Sequence, residues 1–286
     1  MSAASRWGTP VSLIRLEGGD TRRFLHGQSS QAIELAQPGA CLATCLISPT
    51  ARMRGLALVA VDDTGADLIV IAGDGEAIRS GLDRVLFPAD NVRMGALEQA
   101  TLWQWQGEVE TEAAALLRPG VDLGSGPSAP ALLQRSESGL PPWLEALPQW
   151  STEEVESNRL RHGLPAAPGE LNDDTNPFEL GLADWVSLNK GCYVGQETLA
   201  KLATYDGVKQ QLRSWQSSET VEPGTTLSNA AGERAGVVTS AQGNRGLALI
   251  RRSCLDATSL QAGTVSLSLS KPLGFIDPPV GAGGQG

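Results

Sequence analysis

The residue types best suited to chemistry stand together in one octapeptide, Lys190-Gly191-Cys192-Tyr193-Val194-Gly195-Gln196-Glu197. A thiol, a cation, an amide and a carboxylate lie around two glycines, which permit backbone conformations or a close ligand approach that a Cβ would block. A free thiol with a pKa of ~8.5 is only about 3% ionised at pH 7. A neighbouring lysine that lowered this by one unit would raise the thiolate to roughly 24%, and the thiolate is both nucleophile and metal ligand. The spacing marks Cys192 as a candidate reactive thiol and Lys190 as the group that activates it. The competing reading is a cysteine that fills space in a loop the glycines merely turn. Tyr193 reads more readily as a packed ring with its hydroxyl satisfied than as a catalytic acid.

The other groups narrow the chemistry by what they cannot build. Cys41 and Cys45 lie in the apolar stretch 40–47 and read as core, and Cys254 follows Arg251 and Arg252. With only His26 and His162 beside four cysteines, there is no CxxC pair and no zinc-type spacing, so no metal site is expected. Neither GxGxxG nor GxxxxGK[ST] occurs, which removes the dinucleotide and P-loop readings. The 22 Lys and Arg stand against 32 Asp and Glu, a net charge of -10, which disfavours direct nucleic-acid binding. No run of 18 apolar residues and no signal-peptide core is present, so the expectation is a cytoplasmic protein with reduced thiols and no membrane partner.

These residues need a scaffold, and the pattern predicts an α+β one. Residues 11–16 read as a strand, and Asp20 caps a short helix carrying Phe24 and Leu25. Residues 40–47 form a buried strand. Residues 56–61 and 66–72 form a hairpin around Asp62-Asp63-Thr64-Gly65. Asp74 caps a helix with Ile78, Leu82, Val85 and Leu86 at helical spacing, ended by Pro88. The Gly-, Pro- and Ser-rich stretch 118–148 reads as a partly flexible connection. Ser151-Thr152-Glu153-Glu154 is a capping box for a helix running to about His162, with Gly163 as its stop. Beyond residue 206 come short strands at 236–240 and 247–251. Val265, Leu267 and Leu269 then alternate with serines and Thr264, as in a half-buried strand of a small barrel or sandwich. The organisation expected is 1–205 as two intertwined α+β subdomains, 206–279 as the C-terminal β-barrel, and 280–286 as a disordered tail.

The octapeptide resembles the KGCYxGQE signature of YgfZ-like proteins, relatives of the glycine-cleavage T-protein, an aminomethyltransferase. Other segments are similar in the same order. Gly18-Gly19-Asp20 with Phe24-Leu25-His26-Gly27-Gln28 resembles the family's G-x-D…FLxGQ opening, and Leu82-Asp83-Arg84 with Phe87 resembles its LDxY-like helix. Arg161-His162-Gly163-Leu164-Pro165 and Asn176-Pro177-Phe178-Glu179-Leu180-Gly181-Leu182 resemble its xxGxP…PxExGL stretch. Gly236-Val237-Val238-Thr239-Ser240 resembles its GxVTS strand.

The resemblance implies three subdomains in a ring-like aminomethyltransferase-type fold around a folate pocket, the last of them the barrel. It implies binding of tetrahydrofolate or a one-carbon derivative, and support of iron–sulfur enzymes or cluster-assembly proteins, with tRNA modification affected only indirectly. For a ligand with an aromatic pterin and an anionic tail, Gln28, Glu179 and Gln196 are the candidate polar anchors. Lys190, Lys201 and Arg161 are the candidate cations, while Gly191, Tyr193, Gly195 and Glu197 complete the site. Glu197 has an equal claim to a structural pairing with Lys190. The chain departs from the family at Ser48-Pro49-Thr50-Ala51-Arg52, which offers no carboxylate where the T-protein has its aspartate. It also has Lys201 where many relatives have arginine, and Val11 and Val155 where some carry pocket tryptophans. A folate-dependent aminomethyl transferase and a folate-independent thiol redox chaperone are the two alternatives.

Overall fold

The first strand shows how the sequence sets its own boundaries. In β1 (Ser5–Glu17), Pro10 has no N–H to donate. It falls in the half of the strand that pairs only with β5 (Arg93–Gln106), because β4 (Gly65–Gly73) reaches just Ser12–Glu17. The proline is thereby kept off the doubly paired part of the sheet. In the computed structural model residues 4–109, 116–135 and 138–279 are described, and the tail expected at 280–286 lies outside them. They divide into two units, neither continuous in sequence. The first is Met1–Ser48, Arg54–Val155 and Trp185–Val194; the second is Pro49–Met53, Glu156–Asp184 and Gly195–Gly286.

The first unit is a six-stranded sheet ordered β2-β3-β4-β1-β5-β6, where β2 is Cys41–Ile47, β3 is Met53–Val61 and β6 is Leu132–Arg135. The β3–β4 hairpin closes on Asp62, whose Oδ1 accepts the N–H of Thr64 and of Gly65, both at 2.8 Å. Arg15 donates to the same carboxylate and holds its pKa far below the usual range. Helix α1 (Thr21–Gln28) starts after Asp20, but the Asp20 carboxylate accepts from the Asn91 N–H at 3.1 Å and makes no cap bond to the helix. Helix α2 (Gly75–Val85) is capped as expected, with Asp74 accepting from the Ala77 N–H at 3.0 Å. Ile78 and Leu82 on α2 join Ile14, Leu25, Val59 and Leu68 in a common core. Each such side chain contributes roughly 1.5–3 kcal/mol by leaving water.

The stretch 118–148, expected as a connection, carries structure of its own. Its β6 adds to the sheet edge against Ala100–Trp103 of β5. Short helix α3 (Pro142–Glu145) brings Trp143 edge-on to Trp105, with ring centroids 5.0 Å apart. Scattered leucines and tryptophans bury enough area to order a segment whose average composition reads as loop.

The second unit closes β7 (Gln210–Gln216), β8 (Thr226–Ser228), β9 (Arg234–Gln242), β10 (Arg245–Arg251), β11 (Ser259–Ala262) and β12 (Val265–Ser270) into a barrel ordered β10-β7-β12-β11-β8-β9. Its core is Trp215, Leu227, Val238, Ile250, Leu260 and Leu267. Helix α4 (Thr152–His162) precedes it and carries the expected capping box. Ser151 Oγ accepts the Glu154 N–H at 3.2 Å, and Glu154 accepts the Ser151 N–H at 2.7 Å. Helix α5 (Gln196–Thr204), where the sequence reading named no element, begins inside the signature octapeptide. Gly195 is its N-cap residue at φ +81, a conformation that favours glycine. The protein is thus mixed α/β with a closed six-stranded C-terminal barrel.

Candidate functional site

In the first unit the signature loop is pinned on both flanks to the turn that follows α1. Ser187 N donates to Ser30 O at 2.9 Å, and Val194 N to Gly27 O at 3.0 Å. Between them Lys190 is buried, and its Nζ donates to the carbonyls of His26, Ser29 and Gln31 at 2.5, 2.6 and 2.7 Å. These are carbonyls of the α1 terminus and its turn, where a cation also complements the helix dipole. The ammonium lies 4.3 Å from the centroid of the Tyr193 ring. Burial pulls the Lys190 pKa down to about 7. The three acceptors work the other way, since only the charged form has three protons to give.

Lys190 is therefore a latch. The sequence reading had assigned it to activating Cys192 or holding an anionic tail, whereas here its protons go to the backbone. Tyr193 is buried, its hydroxyl hydrogen-bonds to none of the described residues, and burial pushes its pKa up to about 12. Between these two buried side chains Gly191 and Cys192 are exposed. A Cβ at Gly191 would meet only His26 Nε2, at 3.6 Å, so protein packing alone does not require glycine there. His26, which the sequence reading gave no role in the site, is buried. Its Nδ1 accepts the Glu34 N–H at 3.3 Å, and burial followed by the Lys190 charge lowers its pKa. Gln28 ends α1 half-buried.

In the second unit Glu197 and Lys201 pair with each other at 2.7 Å on the exposed face of α5. Such an i,i+4 pair is worth a few tenths of a kcal/mol and occupies both charges. Gln196 is half-buried in the first turn of that helix. Glu179 is buried in the wall of a cavity of about 610 Å³, with Arg52, Asp174, Lys209, Gln210 and Arg252 among its neighbours. Its Oε2 accepts the Asn176 N–H at 3.1 Å. Burial raises its pKa above the usual carboxylate value, against opposing contributions from that N–H, Gln210, Arg52 and Lys209. Arg161 lines a separate hollow of the same unit. The sequence reading missed the cations Arg52, Lys209, Arg251 and Arg252, whose only local signal was the adjacent Arg251-Arg252 pair. A buried carboxyl with cations around it can engage the N–H edge of a polar heterocycle at one end and an anion at the other.

The raised pKa of Glu179 has a testable sign. From its ordinary value near 4.5 up to its folded value, the native state binds more protons than the unfolded state, so stability falls as pH rises through that window. Glu179→Gln keeps an acceptor for the Asn176 N–H and removes the buried charge. The variant is expected to melt with wild type at pH 4 and above it at pH 8. Equal melting at both values in paired scans would remove the buried-charge argument.

Comparison with known proteins adds four findings. Residues 210–274 match the family model of the CAF17 C-terminal β-barrel domain. The Arabidopsis thaliana protein named "Putative transferase At1g60990, chloroplastic" is 30% identical over 261 residues, 81% of this chain, and the chain spans only 60% of that relative. The human "Iron-sulfur cluster assembly factor IBA57, mitochondrial" is 26% identical over 275 residues, 84% of this chain and 75% of the relative. Among solved structures, the glycine cleavage system aminomethyltransferase T from Bartonella henselae superposes with a TM-score of 0.78, covering 98% of this chain and 88% of that one at 16% identity, which shows a shared fold.

Proposed function

We propose, on the likeness to the YgfZ/CAF17-like proteins, that the chain is a tetrahydrofolate-binding factor acting in iron–sulfur cluster assembly or repair on an aminomethyltransferase-like fold. The observation that carries the reading is the placement of Cys192: of the four cysteines it is the exposed one, at the apex of a loop held on both flanks. A thiol so presented can meet a partner or a cluster fragment without unfolding. The assembly role is supported by the human relative's name. Folate is supported by the family and by the fit of the 610 Å³ cavity. The buried Glu179, its pKa raised by desolvation, suits a pterin edge, and Lys209 and the adjacent arginines suit an anionic tail. In this reading Lys190 positions the thiol and does not touch ligand. Any effect on tRNA modification passes through client iron–sulfur enzymes. The work takes place in the cytosol or an equivalent aqueous compartment. Among the described residues no helix is long and apolar enough to cross a membrane.

Calorimetric titration with tetrahydrofolate up to the millimolar range is expected to give saturable heat that Arg52→Ala weakens. A flat trace with folded protein would sink the folate part of the reading. A second reading, a folate-dependent one-carbon transferase, is favoured by Asp174 and Asp206, which put carboxylates on the same cavity although residues 48–52 offer none. Turnover of an aminomethyl donor would establish it.

A further inference from the structure

A second cavity, of about 290 Å³, lies between the C-terminal half of α4 and the ends of β7, β10 and β12. Its walls differ in kind from those of the larger cavity. Three cations line it, Arg161, Arg245 and Lys271, with the hydroxyl residues Ser157, Ser214 and Ser270, and among the described residues no carboxylate does. In a chain of net charge -10 this is a local reversal of sign. Arg161 and Arg245 share the hollow with no carboxylate on its wall, and like charges so placed repel one another, so their grouping costs stability unless an anion joins them.

The groups are also poised to donate. Arg161 is exposed and none of the described carboxylates pairs with it. Arg245 holds Ser157 Oγ at 3.1 Å with one nitrogen, which fixes its plane and leaves further N–H groups. Ser214 Oγ is enclosed and hydrogen-bonds to none of the described residues. Lys271 is the weakest of the set, because Asp277 takes its ammonium at 2.8 Å. Two guanidinium forks with hydroxyls at the base of a small hollow match the oxygens of a phosphate or carboxylate.

We propose that this hollow is a binding site for a small oxyanion, a phosphate or carboxylate group of a low-molecular-weight ligand. The site is separate from the Glu179 cavity, and the proposal does not depend on the folate reading. The test is equilibrium titration of the full chain at low salt, in phosphate-free buffer, with orthophosphate, pyrophosphate and glutarate. At least one is expected to saturate in the millimolar range or below. Arg161→Gln and Arg245→Gln should each weaken it by about tenfold, the loss of one charge-assisted hydrogen bond. Arg234→Gln, at an exposed arginine outside the hollow, should leave it unchanged. The tighter of the phosphate and dicarboxylate arms names the source of the oxyanion. Both test arginines are exposed, so their variants should melt with wild type, and loss of affinity then reports on the site. The proposal is overturned if no probe saturates below ~10 mM, an affinity of less than about 3 kcal/mol, or if both variants bind as wild type does.

Discussion

Cys192→Ala is expected to abolish support of iron–sulfur enzymes in cells while moving the melting temperature by no more than about 2 °C. The side chain is exposed at the loop apex, and surface substitutions of that kind stay within about 0.5 kcal/mol. The fold does not depend on it, so the loss would belong to the thiol. Labelling provides an independent check. With limiting iodoacetamide at pH 8, Cys192 should be modified first, because Cys45 and Cys254 are buried and Cys41 is partly covered. Burial also pushes the Cys41 thiol up to about 12 and raises that of Cys45, leaving both neutral at that pH. Folate affinity should fall only modestly, since Cys192 is not among the residues that line the Glu179 cavity. If Cys192 resists labelling until the chain unfolds, and the alanine variant complements fully, the thiol is structural.

Lys190→Met should have the larger effect on stability. The substitution keeps the stem and removes all three donors, leaving the His26, Ser29 and Gln31 carbonyls without that partner. An unsatisfied buried acceptor costs about 1–3 kcal/mol, and the Gln31 carbonyl keeps the Ile33 N–H at 2.9 Å, so the loss from the other two should reach about 2 kcal/mol or more. For a chain of this size that is roughly 4 °C or more in melting temperature. Arginine should not rescue it, because a planar fork cannot present three protons around one point. With the latch gone, Tyr193 should become accessible, and its fluorescence quenching should rise in mildly destabilising conditions. A methionine variant that melts with wild type would mean that water or neighbouring groups satisfy the three carbonyls, and Lys190 would then be free for another role.

What could be read from the sequence was whatever is decided within a few residues. The capping box at Ser151 and Glu154, the Asp74 cap, the Asp62 hairpin and the alternation along β12 depend on neighbours in the chain, and all are present. Strand β5 was missed because what makes it a strand is pairing with β1, some ninety residues away, while its own burial is irregular along Arg93–Gln106. Helix α5 was hidden for a different reason. Gly195 was weighed for ligand approach and backbone freedom and not as a helix start, although Leu199 and Ala203 four residues apart supply a buried helical face. The octapeptide drew attention to the Lys190 loop but gave no sign of what Lys190 bonds to, since its acceptors are 159 to 164 residues away. The Glu179 cavity draws on residues 52, 174, 179, 206–210 and 251–253, and no local pattern joins those segments.

The distance spanned by the Lys190 latch also sets a timetable for the newly made chain. Translation adds roughly 5–20 residues per second. The turn after α1 therefore leaves the ribosome some 8–30 seconds before the lysine that closes it, from the separations of 159 to 164 residues. Throughout that interval the carbonyls of residues 26, 29 and 31 face water or a chaperone, and the first unit lacks its third segment, Trp185–Val194. Completion of that unit is thus delayed until two segments of the second, Pro49–Met53 and Glu156–Asp184, have already been synthesised. A premature stop before residue 190 would release an unlatched sheet, a substrate for quality-control proteases, however well its first hundred residues pair.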